Sequence, residues 1–258
     1  MPHPQQIYWD SIADDYQSLT SISTDEFHFG PLLPGNDKLN ILPPISGSST
    51  CLELGCGAAQ NSIELAKLGA DCTAIDISPR QIRRARELAR LNDVEIELYS
   101  APLENASAWP DKKFSLVHSV YALPFIEDPQ TFIERAAASL TPGGTLLLVT
   151  KHPVFCAEPI ETEDDEVGLF LPSYFDPPED IRAAPSGEII ASRAYPIATV
   201  ANWIYDAGLR NLRIWEPSPL PREHLTKAPY HSPAWIELYD KLTAAPVSII
   251  YSAAIPTS

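Results

Sequence analysis

The run Glu53-Leu54-Gly55-Cys56-Gly57 joins an apolar, strand-like segment to a helix-like one, and it is where this sequence is best equipped for chemistry. Its two glycines let the backbone bend sharply and approach a ligand with no Cβ in the way. A helix that starts just beyond presents free N–H groups, and Asn61 adds a side-chain amide able to hold a carboxylate. Asp76 ends the next strand-like run, Cys72-Thr73-Ala74-Ile75. A carboxylate at such a strand tip can accept both hydroxyls of a ribose, and Ile77 beside it can cover a flat base. A nucleoside-like ligand is therefore expected. The dinucleotide fingerprint G-x-G-x-x-G/A competes for the same turn, but Gln60 stands where its third small residue belongs, and Glu53 has no part in it.

Such residues need a sheet to hold them. Apolar runs read as strands at Thr50–Leu54, Cys72–Ile75, Val94–Leu98, Phe114–Val117, Thr145–Val149, Leu212–Trp215 and Val247–Tyr251. Helical patterns lie between them. One runs over Ser62–Leu68 and closes at Gly69; another opens at Ser78-Pro79 with an N-cap and a first-turn proline; a third covers Thr131–Leu140, and a later one runs from Ser232-Pro233 to Leu242. Strands without polar alternation, separated by helices, imply a mostly parallel sheet covered on both faces. Tyr8, Ile12 and Tyr16 repeat at helical spacing near the N-terminus, and the Gly/Pro-rich stretch from Gly30 to Gly47 reads as a surface loop. Between His152 and Ala194 the pattern breaks. That stretch is acidic (Glu161, Glu163, Asp164, Asp165, Glu166) but carries Phe155, Phe170, Tyr174 and Phe175, so a cap or lid is expected rather than a disordered linker. The divisions are 1–48 (helix and loop covering the site), 49–151 (binding core), 152–195 (cap or lid) and 196–258 (completion of the sheet).

The 258 residues carry a formal charge of −16, which disfavours a polyanionic partner. The one basic cluster, Arg80, Arg83, Arg84, Arg86 and Arg90, reads as the solvated face of a helix. Cys51, Cys56, Cys72 and Cys156 form no C-x-x-C pair and are expected to be buried thiols. No apolar run is long enough to span a bilayer, and the first residues do not read as a signal peptide. A cytoplasmic protein is expected, without nucleic-acid or membrane partners.

Leu52 to Asp76 resembles the S-adenosylmethionine (SAM) binding half of class I methyltransferases. The resemblance extends to the opening Trp9-Asp10-x-x-Ala13-x-x-Tyr16, to Phe114–Ser119 as a fourth strand and to Leu140-Thr141-Pro142-Gly143-Gly144 before a fifth. It implies a Rossmann-like, doubly wound α/β sheet of seven mostly parallel strands whose last strand is antiparallel. It also implies SAM as cofactor, S-adenosylhomocysteine (SAH) as product, no metal, and a small-molecule acceptor methylated on N, O, C or S by a monomer or homodimer. By the same resemblance Glu53, Gly55, Cys56, Gly57 and Asn61 shape the loop around the methionine portion. Asp76 holds the ribose, Ile77 packs on the adenine, and the segment Ala101-Pro102-Leu103-Glu104 borders the adenine edge. Ser119 and Val120 line the methionine, and Tyr16 closes over it. Two departures stand out: Ala59 occupies a usual glycine, and no acid stands near position 101.

Methyl transfer chiefly needs alignment and exclusion of water; a base serves only an acceptor that must lose a proton. The candidates are His152 and Tyr121, after the fifth and fourth strands, and His28 in the Phe27-His28-Phe29 loop. A SAM-binding protein without catalysis and a nicotinamide oxidoreductase are the alternatives.

Overall fold

The apolar runs form the centre of a seven-stranded sheet in the computed structural model, which describes residues 3–161 and 167–257. The expected acidic residues Glu163, Asp164, Asp165 and Glu166 lie outside the described residues, as do Met1 and Pro2. The chain opens with helix α1 (Pro4–Leu19). The repeating part then follows as β1 (Thr50–Leu54), α2 (Gln60–Lys67), β2 (Asp71–Asp76), α3 (Pro79–Leu91), β3 (Ile96–Ser100), β4 (Phe114–Val120), α4 (Pro129–Ala138) and β5 (Leu140–Lys151). A hairpin of β6 (Asp180–Ala183) and β7 (Ile189–Ser192), helix α5 (Ile197–Asp206), β8 (Arg210–Trp215), helix α6 (Pro233–Glu237) and β9 (Ser248–Ala254) complete what positions the site. The strand order is β8-β9-β5-β4-β1-β2-β3; β1 to β5 pair in parallel, and β9 runs antiparallel to both β5 and β8. This is the expected Rossmann-like sheet.

Burial explains the sequence pattern. Leu52, Leu54, Ile75, Val117 and Leu148 are fully enclosed in one cluster with Phe132 and Ile133 of α4 and Val200 and Ile204 of α5. Cys51, Leu116, Leu147 and Val149 face the other side, against Phe27, Phe29, Leu32 and Leu33. Each such side chain contributes about 1.5–3 kcal/mol when wholly buried, so both faces of the central strands must be apolar. All four cysteines are buried and free.

Helix α1 is fixed by polar contacts as well as packing. Ser78 caps α3 by accepting from the Gln81 N–H at 3.1 Å, and its own hydroxyl donates to Asp10 Oδ1 at 2.6 Å. Asp10 also accepts from the Arg80 N–H. The carboxylate therefore ties α1 across the start of α3, at the carboxyl edge of the sheet.

Three local expectations change. The stretch after Gly30 is not a surface loop: Leu32 and Leu33 are fully buried, and Leu32 exchanges backbone bonds with Tyr230 and Leu220, which satisfies a non-repetitive core segment. β3 begins two residues later than Val94 because its ladder is set by pairing from Cys72↔Ile96 to Asp76↔Ser100. The helix expected through Leu242 breaks at Leu238 into Pro233–Glu237 and Tyr239–Ala244. Within 152–194, the described residues form two hairpins, and Ala184 and Ile190 pack on Tyr8 of α1.

Candidate functional site

The carboxyl ends of β1, β2, β4 and β5 open into a cavity of about 240 Å³, roofed by α1 through Gln5, Trp9 and Tyr16. Trp9 is held edge-on by Tyr8, Tyr16 and Phe125. The floor is the turn after β1. Gly55 and Gly57 both have positive φ, at +75° and +55°, but they serve different purposes. A Cβ on Gly55 would lie 2.5 Å from the Ala122 Cβ, whereas one on Gly57 would meet nothing within 4 Å. Gly55 is needed for packing; Gly57 leaves its backbone open to the cavity. Ala59 takes the left-handed conformation (φ +59°) at the start of α2, which accounts for a small residue there.

Asp76 joins the turn to the next strand. Its Oδ2 accepts from the Gly57 N–H at 2.8 Å and its Oδ1 from the Ser78 N–H at 2.9 Å. Each oxygen keeps a further lone pair. Glu53 lies beneath the turn, where its Oε2 accepts from the Ser62 N–H (3.1 Å) and hydroxyl (2.5 Å). Glu104 reaches the cavity from the loop after β3, and its Oε1 is buried without a hydrogen-bond partner. Three carboxylates thus line the half of the cavity next to β1, β2 and β3.

Burial pushes the Glu53 carboxyl up to about 7, against the opposing pull of the Ser62 donors. Burial likewise pushes Asp76 up to about 6, although the Ser78 and Gly57 N–H groups favour its ionised form. Both values lie above the ordinary ones, so the folded chain holds these protons more tightly than the unfolded chain. That stability is complete below about pH 4 and is lost as the pH rises through 6 to 7. For Glu53, the move from 4.5 to about 7 corresponds to about 3 kcal/mol. The ligand-free protein is therefore expected to melt at lower temperature at pH 8 than at pH 5, with a shallower decline in Glu53→Gln. Parallel melting curves of the two proteins across that range test this, and identical slopes would contradict it.

Residues 52–148 match the family described as a methyltransferase domain. The ubiquinone biosynthesis O-methyltransferase of Xanthomonas campestris pv. campestris (strain B100) is 34% identical over 99 residues, which are 38% of this chain and 41% of that protein. The chain thus spans about 41% of the length of the curated relatives it matches. The S-adenosylmethionine dependent methyltransferase from Mesorhizobium loti superposes with a TM-score of 0.66 at 23% identity, covering 84% of this chain and 94% of that one. The [4+2]-cyclase SpnF superposes at 0.62 and 17% identity, covering 100% and 97%. Residues 52–148 of this chain are therefore similar to a methyltransferase domain, set in the fold that these structures share.

Within the matched stretch and the elements around it, the cavity is lined by Tyr16, Glu53, Gly55, Cys56 and Gly57, and by Asp76, Ile77, Leu103 and Val120. Tyr121 and His28 reach it as well. Four expected residues do not. The Asn61 amide is spent on the His28 backbone, accepting from its N–H and donating to its carbonyl. Ser119 donates to the Leu54 carbonyl across the sheet, and Pro102 lies outside the lining. His152 is the largest correction. It is 3% exposed, its Nδ1 accepts from the Val154 N–H as a cap, and its Nε2 meets Glu216 Oε1 at 2.7 Å. The ring caps the short 3-10 segment Pro153–Cys156, and His152 is not among the residues lining the cavity.

The two remaining base candidates are weak bases. Burial lowers His28 to about 3 and raises the Tyr121 phenol. Tyr121 holds a positive φ (+66°), rare for an aromatic residue, with its hydroxyl 2.7 Å from Ser248 Oγ. His118, on β4 beside Glu53, is wholly buried and also lowered to about 3 by burial.

Glu104, expected at the adenine edge, lines the cavity, and so do Gln60, Lys151, Arg182 and Tyr230, which were not expected there. Gln60 donates to Gln17 and Gln17 to Gln81, an amide chain that stitches α2, α1 and α3. Glu104 answers the missing acid near position 101. A polar residue closing an apolar strand was the available signal for Lys151; Arg182 and Tyr230 come from distant segments and had none. Among the described residues no group of three or more His, Cys, Asp or Glu is placed to hold a metal ion, and no helix is long and apolar enough to cross a membrane.

Proposed function

We propose that this protein binds SAM in the cavity and transfers its methyl group to a small organic acceptor. The observation that carries the reading is the pairing at the turn. Gly57 opens into empty space where a Cβ would stand, and Asp76, bonded to the Gly57 N–H, keeps lone pairs for two ribose hydroxyls. Glu104 Oε1, buried and unpartnered, suits the amino group of an adenine, and Ile77 and Leu103 suit its faces. Glu53 and Asp76 place negative charge where the ligand carries an ammonium and a sulfonium. The residues present therefore fit the cofactor. When bound, SAM supplies an activated methyl that an acceptor lone pair takes in line, the C–S electron pair leaving with sulfur as SAH.

The chain's own contribution is positioning and exclusion of water. α1, tied down through Asp10, lays Trp9 and Tyr16 over the cavity, and Tyr16 is linked to Tyr230 by a 2.8 Å hydroxyl contact. Among the described residues His28 is the histidine that lines the cavity, and burial makes it a weak base, which favours acceptors that arrive with a free lone pair or lose their proton to solvent. The curated relatives match over 99 residues, 38% of this chain, so their name carries no acceptor to it.

A second reading is a SAM-binding protein that transfers no methyl group. The weak bases favour it, and a protein titled a [4+2]-cyclase superposes on the same fold. Incubation with SAM and a panel of organic acceptors, with mass-spectrometric detection of SAH and of methylated product, separates the two. SAH with a product 14 mass units heavier is expected; tight SAM binding without SAH from any acceptor would favour the second reading. The nicotinamide alternative is disfavoured by Gln60, whose side chain lies in the cavity where the dinucleotide fold needs a small residue.

A further inference from the structure

The charges lining the cavity are segregated. Glu53, Asp76 and Glu104 stand at the β1, β2 and β3 side, and the cations Lys151 and Arg182 stand at the other, from the end of β5 and from β6. Lys151 is a buried lysine, its side chain 9% exposed. Its ammonium lies 3.8 Å from Asp180 Oδ2, too far for a hydrogen bond, with the Cys156 thiol beside it. An ammonium has three donors, and burying one without full hydrogen bonding is unfavourable.

Asp180 is already engaged elsewhere. The same Oδ2 accepts from Arg182 Nε at 2.7 Å and lies 2.6 Å from a terminal guanidinium nitrogen, while the Ser192 hydroxyl approaches it at 3.4 Å. One carboxylate thus stands against two cations, which leaves a single positive charge. Arg182 also projects its charge over the phenols of Tyr16, Tyr121 and Tyr230, where burial is the larger influence and raises all three. The same cavity has aromatic walls: Trp9, Tyr230, and Phe155 and Trp235 with ring centres 6.2 Å apart.

We infer that this end of the cavity is an acid-binding subsite: the acceptor is an organic acid with one carboxylate, received by Lys151 and Arg182, and an apolar body held among Trp9, Phe155 and Trp235. The inference rests on the methyl-transfer reading for the word acceptor, but the subsite itself rests on the cations. A single residual charge matches a monoanion; a dianionic phosphate would remain half uncompensated. The guanidinium fork and the lysine donors suit a carboxylate's two oxygens.

Calorimetric titration of the full chain with benzoate, cinnamate and hexanoate, each against its primary amide, tests the subsite. The titrations are run with and without saturating SAH. At least one acid is expected to bind tenfold or more tightly than its amide. That preference is expected to fall below threefold in Lys151→Met and in Arg182→Gln, with SAH affinity within threefold of the parent in both. Arg182 is half exposed, so its variant keeps the test valid even where loss of the buried lysine perturbs folding. No acid surpassing its amide, or a preference surviving both substitutions, would overturn the inference. Absence of SAH binding would sink the cofactor reading alone, because the acid preference is still read in the free protein.

Discussion

Asp76→Asn is expected to weaken SAH binding about 100-fold. The carboxylate has about four acceptor sites and uses two of them on the Gly57 and Ser78 N–H groups, one per oxygen. An amide retains one oxygen. Its NH2 must then face one of those two backbone donors, donor against donor, and the turn loosens at the point where it meets the ligand. The two ribose hydroxyls lose their ionised acceptor as well, and hydrogen bonds to a charged group are worth about 1.5–3 kcal/mol each. Because burial already disfavours the ionised side chain, the substitution removes a buried charge and the melting temperature is expected to change little. Calorimetry with SAH reads the first effect and thermal unfolding the second. An affinity within threefold of the parent would exclude Asp76 from ribose recognition.

Gly57→Leu is expected to weaken SAH binding by a hundredfold or more while leaving a folded protein. The two glycines of the turn make opposite predictions. A side chain on Gly55 collides with Ala122, so even alanine there disturbs the packing of the β4 end. A side chain on Gly57 enters open space, and its conformational penalty at φ +55° is about 1–2 kcal/mol. For a chain of this size that lowers the melting temperature by only a few degrees. The isobutyl group, however, fills the space above the turn, and binding is expected to weaken by a hundredfold or more. Wild-type affinity in a folded Gly57→Leu protein would mean that the ligand lies elsewhere.

The parallel sheet was legible because its strands are buried on both faces, so Cys51-Leu52, Ala74-Ile75 and Leu146–Val149 have no polar alternation to confuse them with edge strands. The turn was legible because only particular residue types tolerate its backbone. What the sequence did not resolve was mostly a matter of one residue. Lys151 lines the cavity and His152 does not; the same holds for Gln60 and Asn61, Val120 and Ser119, Leu103 and Pro102. Successive residues point to opposite sides in an extended chain, and about 100° apart on the helix that carries Gln60 and Asn61, so proximity to a strand end names a neighbourhood and not a direction. The acceptor side was less legible still. Arg182 comes from a hairpin, whereas Tyr230 and Trp235 come from the start of helix α6 and the residues before it, far along the chain, and no local pattern marks their meeting. The buried stretch at Leu32 and Leu33 was missed because its backbone is satisfied by residues 220 and 230 rather than by its own periodicity.

The central claim is that the turn and Asp76 together hold SAM, and titration of SAH and of NAD into the full chain tests it most directly. The account predicts one SAH per chain with a dissociation constant of about 10 μM or tighter, near −7 kcal/mol, and no heat from NAD. Absence of SAH binding at millimolar ligand, or binding of NAD in its place, would contradict it.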